Sequence, residues 1–227
     1  ERAIRESSRV LAVRGRVLPS TTADVTLWAE FEDEDRIRGE SRITQTRKAI
    51  KRVFLDPPLA PAYPEAVGAI LHADLIVIGP GSLYTSVLPN LLVEGIARAV
   101  RSSKALKIYV CNVATERGET DHFGVDDHVR VLVDHVGPGV LGCVLANDNV
   151  GLHLAPELHS QLVSLSGETA PLNQLRVALA DVVDPAWPTH HDSEKLAQAV
   201  MRIYCESAQS RSKRATGVPK QAVAARL

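Results

Sequence analysis

Aromatic side chains make up only 4% of the 227 residues. So few rings leave little material for the base-stacking platforms of single-strand nucleic-acid binders. An excess of charge of one sign is missing too. Twenty-six Lys and Arg stand against 27 Asp and Glu, a formal net charge of -1. No global basic field therefore draws the chain to nucleic acid. The three cysteines, Cys111, Cys143 and Cys205, form no C-x-x-C pair. Their odd number and wide spacing support neither a zinc ribbon nor a disulfide framework. Cys111 and Cys143 read as small buried hydrophobes, because cysteine is among the most buried residue types. No apolar run approaches the roughly 20 residues that a membrane span requires. No secretory signal is visible, and a reducing cytoplasm is the expected compartment.

What is present suits a folded domain. Hydrophobic residues make up 45% of the chain, more than a disordered chain carries. A chain of this length buries roughly 70–75% of its unfolded surface. The pattern has two parts. From Asp24, Val25, Leu27, Ala29 and Phe31 alternate with polar neighbours. The acidic turn Glu32-Asp33-Glu34-Asp35 follows, then a second, polar strand from Ile37 to Ile43. This predicts an exposed antiparallel hairpin, with a third short strand over 50–55 ended by Asp56-Pro57-Pro58. From Pro61 the rhythm changes. Strands at 75–78, 107–111, 140–145 and 175–183 alternate with helices around 66–71 and over 91–100, 125–136, 156–165 and 193–204. Short apolar strands alternating with helices predict an α/β fold: a Rossmann-like, three-layer parallel sheet with a small antiparallel β-hairpin insertion. The expected organisation is a single α/β domain over 1–206, with the insertion at about 24–56 and a mobile basic tail at 207–227. Residues 1–13 read as the end of a helix, entered at Glu1 without a methionine.

Two loops carry the candidate chemistry. The strand at 75–78 runs into Gly79-Pro80-Gly81-Ser82-Leu83-Tyr84-Thr85-Ser86. Ligands bind at such carboxyl ends of parallel strands, and glycines there let backbone amides approach a phosphate. Tyr84 occupies the place of the third glycine of the dinucleotide fingerprint, and no Gly-Lys-Ser/Thr of a P-loop follows. A tight turn with a helix cap accounts for the same residues. The strand at 107–111 opens into a loop with Asn112, Thr115, Glu119, Thr120, Asp121 and His122 within 11 positions. That density of polar groups suits sugar hydroxyls, a base edge or a metal-bound phosphate; a polar surface loop would look alike. Asp126 and Asp127 are expected to cap the next helix, and Asp192 or Ser193 the last one. Asp127-His128 and His190-His191-Asp192 lack the spacing of a zinc site.

Several of these segments fall in a recognisable order. They are Leu11-Ala12-Val13-Arg14-Gly15-Arg16-Val17-Leu18-Pro19-Ser20-Thr21 and Gly39-Glu40-Ser41 with Ile43 shortly after. Next come Ala73-Asp74 through Gly79-Pro80-Gly81-Ser82-Leu83-Tyr84-Thr85-Ser86 to Pro89-Asn90-Leu91-Leu92-Val93. Cys111-Asn112 with Thr115, Gly118-Glu119-Thr120-Asp121 and Asp127-His128 complete the set. Together they resemble the gluconeogenesis-factor family (YvcK-like), within the 2-phospho-L-lactate transferase (CofD-like) superfamily. The resemblance implies a cytoplasmic, Rossmann-like protein that forms a homodimer. It implies a nucleotide-sugar ligand, UDP-N-acetylglucosamine or a close analogue. It also implies a regulatory role in carbon metabolism, cell shape and peptidoglycan synthesis, with protein partners in those processes. No catalytic residue is assigned. The transferase relatives instead move a 2-phospholactyl group onto a deazaflavin with a divalent cation.

Three departures stand out. Gln161-Leu162 occupies a place where family members often have Arg-Tyr, and His190-His191-Asp192 one where they often have Arg-His-Asp. The family's N-terminal glycine-rich strand–loop–helix is absent from these residues, which read as the C-terminal two-thirds of a longer protein. The expected site has Gly79, Gly81 and Ser82 on phosphate oxygens. Tyr84, Thr85, Asn112 and Thr115 line the base and ribose. Glu119, Thr120 and Asp121 belong to the same ligand site, with Glu119 and Asp121 on sugar hydroxyls or a water-bound cation. A binding protein is favoured over a transferase, and a scaffold that holds a partner through the hairpin or the last helix is the third reading.

Overall fold

The computed structural model describes residues 15–165 and 175–215. The expected helix at 1–13 and the end of the tail at 216–227 lie outside the described residues. Strands β1 (Thr26–Phe31), β2 (Arg36–Arg38) and β3 (Ile50–Asp56) form an antiparallel sheet of order β2-β1-β3. Strands β4 (Leu75–Ile78), β5 (Leu106–Val110), β6 (Cys143–Asn147) and β7 (Arg176–Ala180) form a parallel sheet in chain order. The helices are α1 (Glu40–Thr46), α2 (Pro64–Leu71), α3 (Leu88–Leu91), α4 (Glu94–Ser102), α5 (Val125–Val136) and α6 (Ser193–Ala215). The last runs past Ser207, where the tail was expected to begin.

The central strands of the parallel sheet are covered on both faces, and the period of two sorts their residues. Tyr109, Cys111, Val144 and Ala146 pack with Ile96 and Val100 of α4 and Val125, Val129 and Leu132 of α5. Ile108, Val110, Cys143 and Leu145 pack with Ala199, Val200 and Ile203 of α6. Three layers follow, as the continuous apolar strands predict. With all four strands in chain order, no reversal of strand order occurs among the described residues.

The antiparallel sheet is less exposed than expected. Leu27, Ala29, Phe31, Val53 and Leu55 of its inner face join the same core as Leu83, Tyr84 and Leu132. Its second strand also ends early. Gly39 adopts φ 90° and gives its amide to the Leu27 carbonyl at 2.8 Å, and the chain turns into α1. Ile43 is therefore a buried helical residue rather than a strand residue.

The expected helix at 156–165 is the largest correction. Only Pro156–Leu158 forms a single 3-10 turn, and His159 ends it at φ 48°. The chain then runs extended along the loop after β5. Thr115 and Gln161 exchange hydrogen bonds, and the Val163 amide donates to the Val113 carbonyl at 2.9 Å. The i, i+4 pattern of Leu158 and Leu162 mimicked a helix, but of the apolar residues over 156–165 only Val163 is buried.

One histidine fastens the antiparallel sheet to α5. Within the ring of His135, Nδ1–H donates to the Val131 carbonyl at 2.7 Å and Nε2 accepts the Val53 amide at 3.1 Å. Accepting at Nε2 while donating from Nδ1 requires the neutral ring. Burial holds its pKa below the usual histidine value, against the bond to Val131. The unfolded chain thus binds a proton that the native state refuses, and this contribution to stability shrinks as pH falls below about 6.5. We expect His135→Ala to cost about 1–3 kcal/mol, because the Val53 amide loses its partner. Hydrogen exchange at Val53, measured at pH 7.5 and 5.5, checks both: protection falls with pH in the wild type and is already low in the variant.

Candidate functional site

A cleft of about 710 Å³ opens at the carboxyl ends of β4 and β5. Pro80 and Gly81 form one wall, and residues 112–117 form the floor. Leu158 and Ser160 come from the extended segment, and Thr189, His190, His191, Ser193 and Leu196 from the entry to α6. Thr44 of α1 closes the side nearest the antiparallel sheet. A side cavity of about 380 Å³ shares Thr115, Arg117 and Ser160 and adds Asp121, His122 and Gln161.

The sequence-predicted residues divide into three groups. Gly81, Asn112 and Thr115 line the cleft, and Asp121 lines its side cavity. Asn112 donates to Glu116 Oε1 at 3.1 Å, and Thr115 is tied to Gln161. Gly79, Ser82 and Thr120 shape the loops. Gly79 sits at φ 79°, and a Cβ there would lie 3.1 Å from the Val110 carbonyl oxygen, so only glycine fits. The Ser82 carbonyl accepts the Ser86 and Val87 amides and opens the π-helical turn Leu83–Val87. Thr120 accepts the Glu116 amide at 2.8 Å, and Asp121 accepts that of Gly118 at 2.7 Å.

The third group is buried. Tyr84 is 1% exposed, donates to the Ile50 carbonyl at 3.3 Å and meets His135 edge-on. Burial raises its hydroxyl pKa far above the usual range. It is a core residue, which corrects the expectation that it packs on a base or sugar. Thr85 donates to Glu119 Oε1 at 2.9 Å, with Thr44 at 3.4 Å from the same oxygen. Glu119 is 4% exposed, and its Oε2 has no hydrogen-bond partner among the described residues. Burial raises its pKa most, and the charge of Glu116 adds to this. The Thr85 hydroxyl, the Tyr84 amide and Thr44 pull the other way. A carboxylate from the protein itself thus stands at the start of the helical segment after β4, where a phosphate was expected. Glu119 and Thr85 therefore do not line the cleft.

Sequence reasoning missed Thr44, Arg117, Ser160 and Thr189, and set His190 and His191 aside with the metal question. Their signal was topological. Asp192 caps α6 by accepting the amides of Glu194 and Lys195, both at 2.9 Å, as expected. The residues just before such a cap, after a parallel strand, fall at the ligand edge of the sheet. The His191 Nε2 lies 3.2 Å from the Cys111 carbonyl, so this nitrogen donates and Nδ1 is left as an acceptor. Arg117 is exposed and has no ion pair or hydrogen bond among the described residues. It is a cation available to an anionic ligand. His128 belongs to the core: it is buried, its ring bonds the Gly124 carbonyl at 2.8 Å, and it packs edge-on against Phe123. Asp127 accepts the Gly124 amide at 2.7 Å and caps α5, as expected. Among the described residues no three His, Cys, Asp or Glu side chains converge to hold a metal ion.

The raised pKa of Glu119 has a thermodynamic consequence. The folded state holds the proton more tightly than the unfolded chain, so ionising Glu119 erodes stability as pH rises above the ordinary value of 4.5. We expect the melting temperature of Glu119→Gln, relative to wild type, to rise as pH increases above 4.5 and to level off once Glu119 is ionised in the folded state. A difference that is flat with pH would show that Glu119 titrates normally.

The model of the family described as 2-phospho-L-lactate transferase CofD matches residues 1–205. The chain is 40% identical over 205 residues to the gluconeogenesis factor of Halalkalibacterium halodurans, covering 88% of this chain and 64% of that protein. It is 50% identical over 145 residues to the gluconeogenesis factor of Bacillus subtilis, covering 64% of this chain and 46% of that one. It thus spans about half to two-thirds of the length of these relatives. The crystal structure of a UPF0052 family member from Bacillus halodurans superposes with a TM-score of 0.79 at 38% identity, covering 88% of this chain and 66% of that chain. With nearly the whole described sequence inside the family match and the fold shared, the chain belongs to the CofD family, among relatives named as gluconeogenesis factors.

Proposed function

We propose that the cleft binds a nucleotide sugar of the UDP-N-acetylglucosamine type. In this reading the protein is a regulator that ties the supply of that sugar to carbon metabolism, cell shape and peptidoglycan synthesis. The observation that carries it is the lining: uncharged hydrogen-bonding groups on Asn112, Thr115, Ser160 and Thr189 beside the guanidinium of Arg117, which has no ion pair among the described residues, with the one carboxylate of the lining, Glu116, engaged by Asn112. Neutral donors and acceptors suit sugar hydroxyls and a uracil edge. A guanidinium suits a diphosphate, which accepts its forked N–H groups in pairs. The volume fits the range of about 300–1,000 Å³ typical of small-molecule sites.

Calorimetry on the intact protein with UDP-N-acetylglucosamine tests this. Binding is expected, and Arg117→Ala should weaken it at least about tenfold, since a hydrogen bond to a charged group contributes about 1.5–3 kcal/mol. Absence of heat at millimolar ligand removes the reading. The description of the family model supports a second one, in which a 2-phospholactyl group passes from a nucleotide-activated substrate to a deazaflavin acceptor with a divalent cation. That reading requires turnover by the intact protein that is lost in Asp121→Ala; no product with either substrate and a divalent cation present excludes it.

A further inference from the structure

The side cavity differs from the cleft in chemistry. The two share Thr115, Arg117 and Ser160, which form the neck between them. The cleft takes apolar surface from Val113, Ala114, Leu158 and Leu196. The side cavity, of about 380 Å³, has Pro156 as its one apolar residue, and Asp121, His122, His159 and Gln161 complete its wall. These four side chains keep most of their hydrogen-bonding capacity. Asp121 spends Oδ2 on the Gly118 amide at 2.7 Å, and its other oxygen has no partner among the described residues. Gln161 bonds Thr115 through its backbone, which leaves the side-chain amide free. The rings of His122 and His159 make no hydrogen bond among the described residues. Both histidines stand at positive φ, 64° and 48°, a backbone region that costs energy for residues with a Cβ. Such residues cluster at ligand clamps, and two of the four non-glycine examples among the described residues line this one cavity.

We propose that the side cavity holds the sugar of the cleft ligand, and that it accepts a neutral sugar and turns away an acidic one. The inference rests on the nucleotide-sugar reading of the cleft and adds where each part of the ligand lies. A sugar hydroxyl both donates and accepts. The wall answers with a carboxylate oxygen that accepts, and with a carboxamide and two neutral imidazoles that do both. The charges set the selectivity. Asp121 and Arg117 are the charged residues of this lining near neutral pH, where an ordinary histidine is largely uncharged. Arg117 stands at the neck, where it meets the diphosphate. Asp121 is then left facing the group inside the cavity. A carboxylate on the sugar meets a like charge there and finds no second cation, whereas a hydroxyl finds an acceptor. The base occupies the larger chamber, against Val113, Ala114 and Leu158.

Calorimetry on the intact protein with UDP, UDP-N-acetylglucosamine and UDP-glucuronate tests the proposal. Near neutral pH, UDP-N-acetylglucosamine is expected to bind about tenfold tighter than UDP, and UDP-glucuronate no tighter than UDP. The ratio of UDP-N-acetylglucosamine to UDP affinity should fall about fivefold in Gln161→Ala, the effect of one lost hydrogen bond. That substitution keeps the backbone bonds to Thr115, so its melting temperature should stay within about two degrees of wild type, which separates a lost contact from lost folding. Asp121→Asn keeps an oxygen for the Gly118 amide and should raise UDP-glucuronate affinity about fivefold. The proposal is overturned if Gln161→Ala weakens UDP and UDP-N-acetylglucosamine equally, or if UDP-glucuronate binds the wild type as tightly as UDP-N-acetylglucosamine. UDP-N-acetylglucosamine that binds, but no tighter than UDP, leaves the reading of the cleft standing and overturns the sugar subsite. Absence of heat with all three ligands removes both.

Discussion

The carboxylate of Glu119 is the junction at which the two sheets of this protein meet. It receives the Thr85 hydroxyl from the segment after β4, and it lies within reach of Thr44 on α1. Its own loop follows β5. Three segments far apart in sequence are thereby fixed around one buried group, in a region too dry for a bare charge to be cheap. Close by, Gly118 passes so near the backbone of Arg47 that a Cβ would lie 2.5 Å from its Cα. The insertion is therefore seated against the β5 loop by a steric fit as well as by polar groups. The cleft inherits its shape from this junction, because Thr44 lines one side of it and residues 112–117 its floor.

The Glu119 carboxyl fills the start of the helical segment after β4. The amides that open a helix attract negative charge over a short range. With Glu119 placed there, the start of that segment is already occupied, and Arg117 is an exposed cation at the cleft. The glycine-rich loop then serves chiefly to shape. Gly79 lets the chain leave β4 against the Val110 carbonyl, and Gly81 forms a wall of the cleft. The polar lining of the cleft is then made of neutral side chains, the Arg117 guanidinium and the Glu116 carboxylate that Asn112 engages.

Much of the fold was legible because burial on both sides leaves a plain mark. Leu75–Ile78 reads as a strand from its continuous apolar run, although at the edge of the sheet it leaves Val77 exposed. Val125–Val136 reads as a helix because its apolar residues recur on one side and Asp127 caps its start. The errors arose where sequence pattern underdetermines context. Leu158 and Leu162 have helical spacing, yet backbone pairing with Val113 and Thr115 decides their conformation. Tyr84 follows a glycine-rich loop, the position of a ligand contact, but its ring points into the core. His190 and His191 were unreadable as cleft residues from spacing alone, since only the parallel topology carries the start of α6 to the edge where β4 and β5 end. The loop after β5 was read correctly as polar; which of its groups face inward depended on the insertion, whose docking leaves no periodic trace.

The antiparallel sheet shows how burial and charge are divided between the faces of one element. Inward, Leu27, Ala29, Phe31, Val53 and Leu55 are part of the core, where truncating a large side chain costs about 2–5 kcal/mol. Outward, changes at exposed positions usually fall within about 0.5 kcal/mol. The packing constraint therefore fixes the first set and says little about the second. Glu30 is held well below the ordinary glutamate value, at about 2, by hydrogen bonds to Arg52 first and then Lys51 and Arg36, so these charges form a preset array at any pH near neutrality. Arg38, by contrast, supports neither this array nor the core. The stacked rings of Trp28 and Phe54 and the shared carboxylate of Glu30 thus order the outer face by its own contacts, while the inner face is ordered by burial.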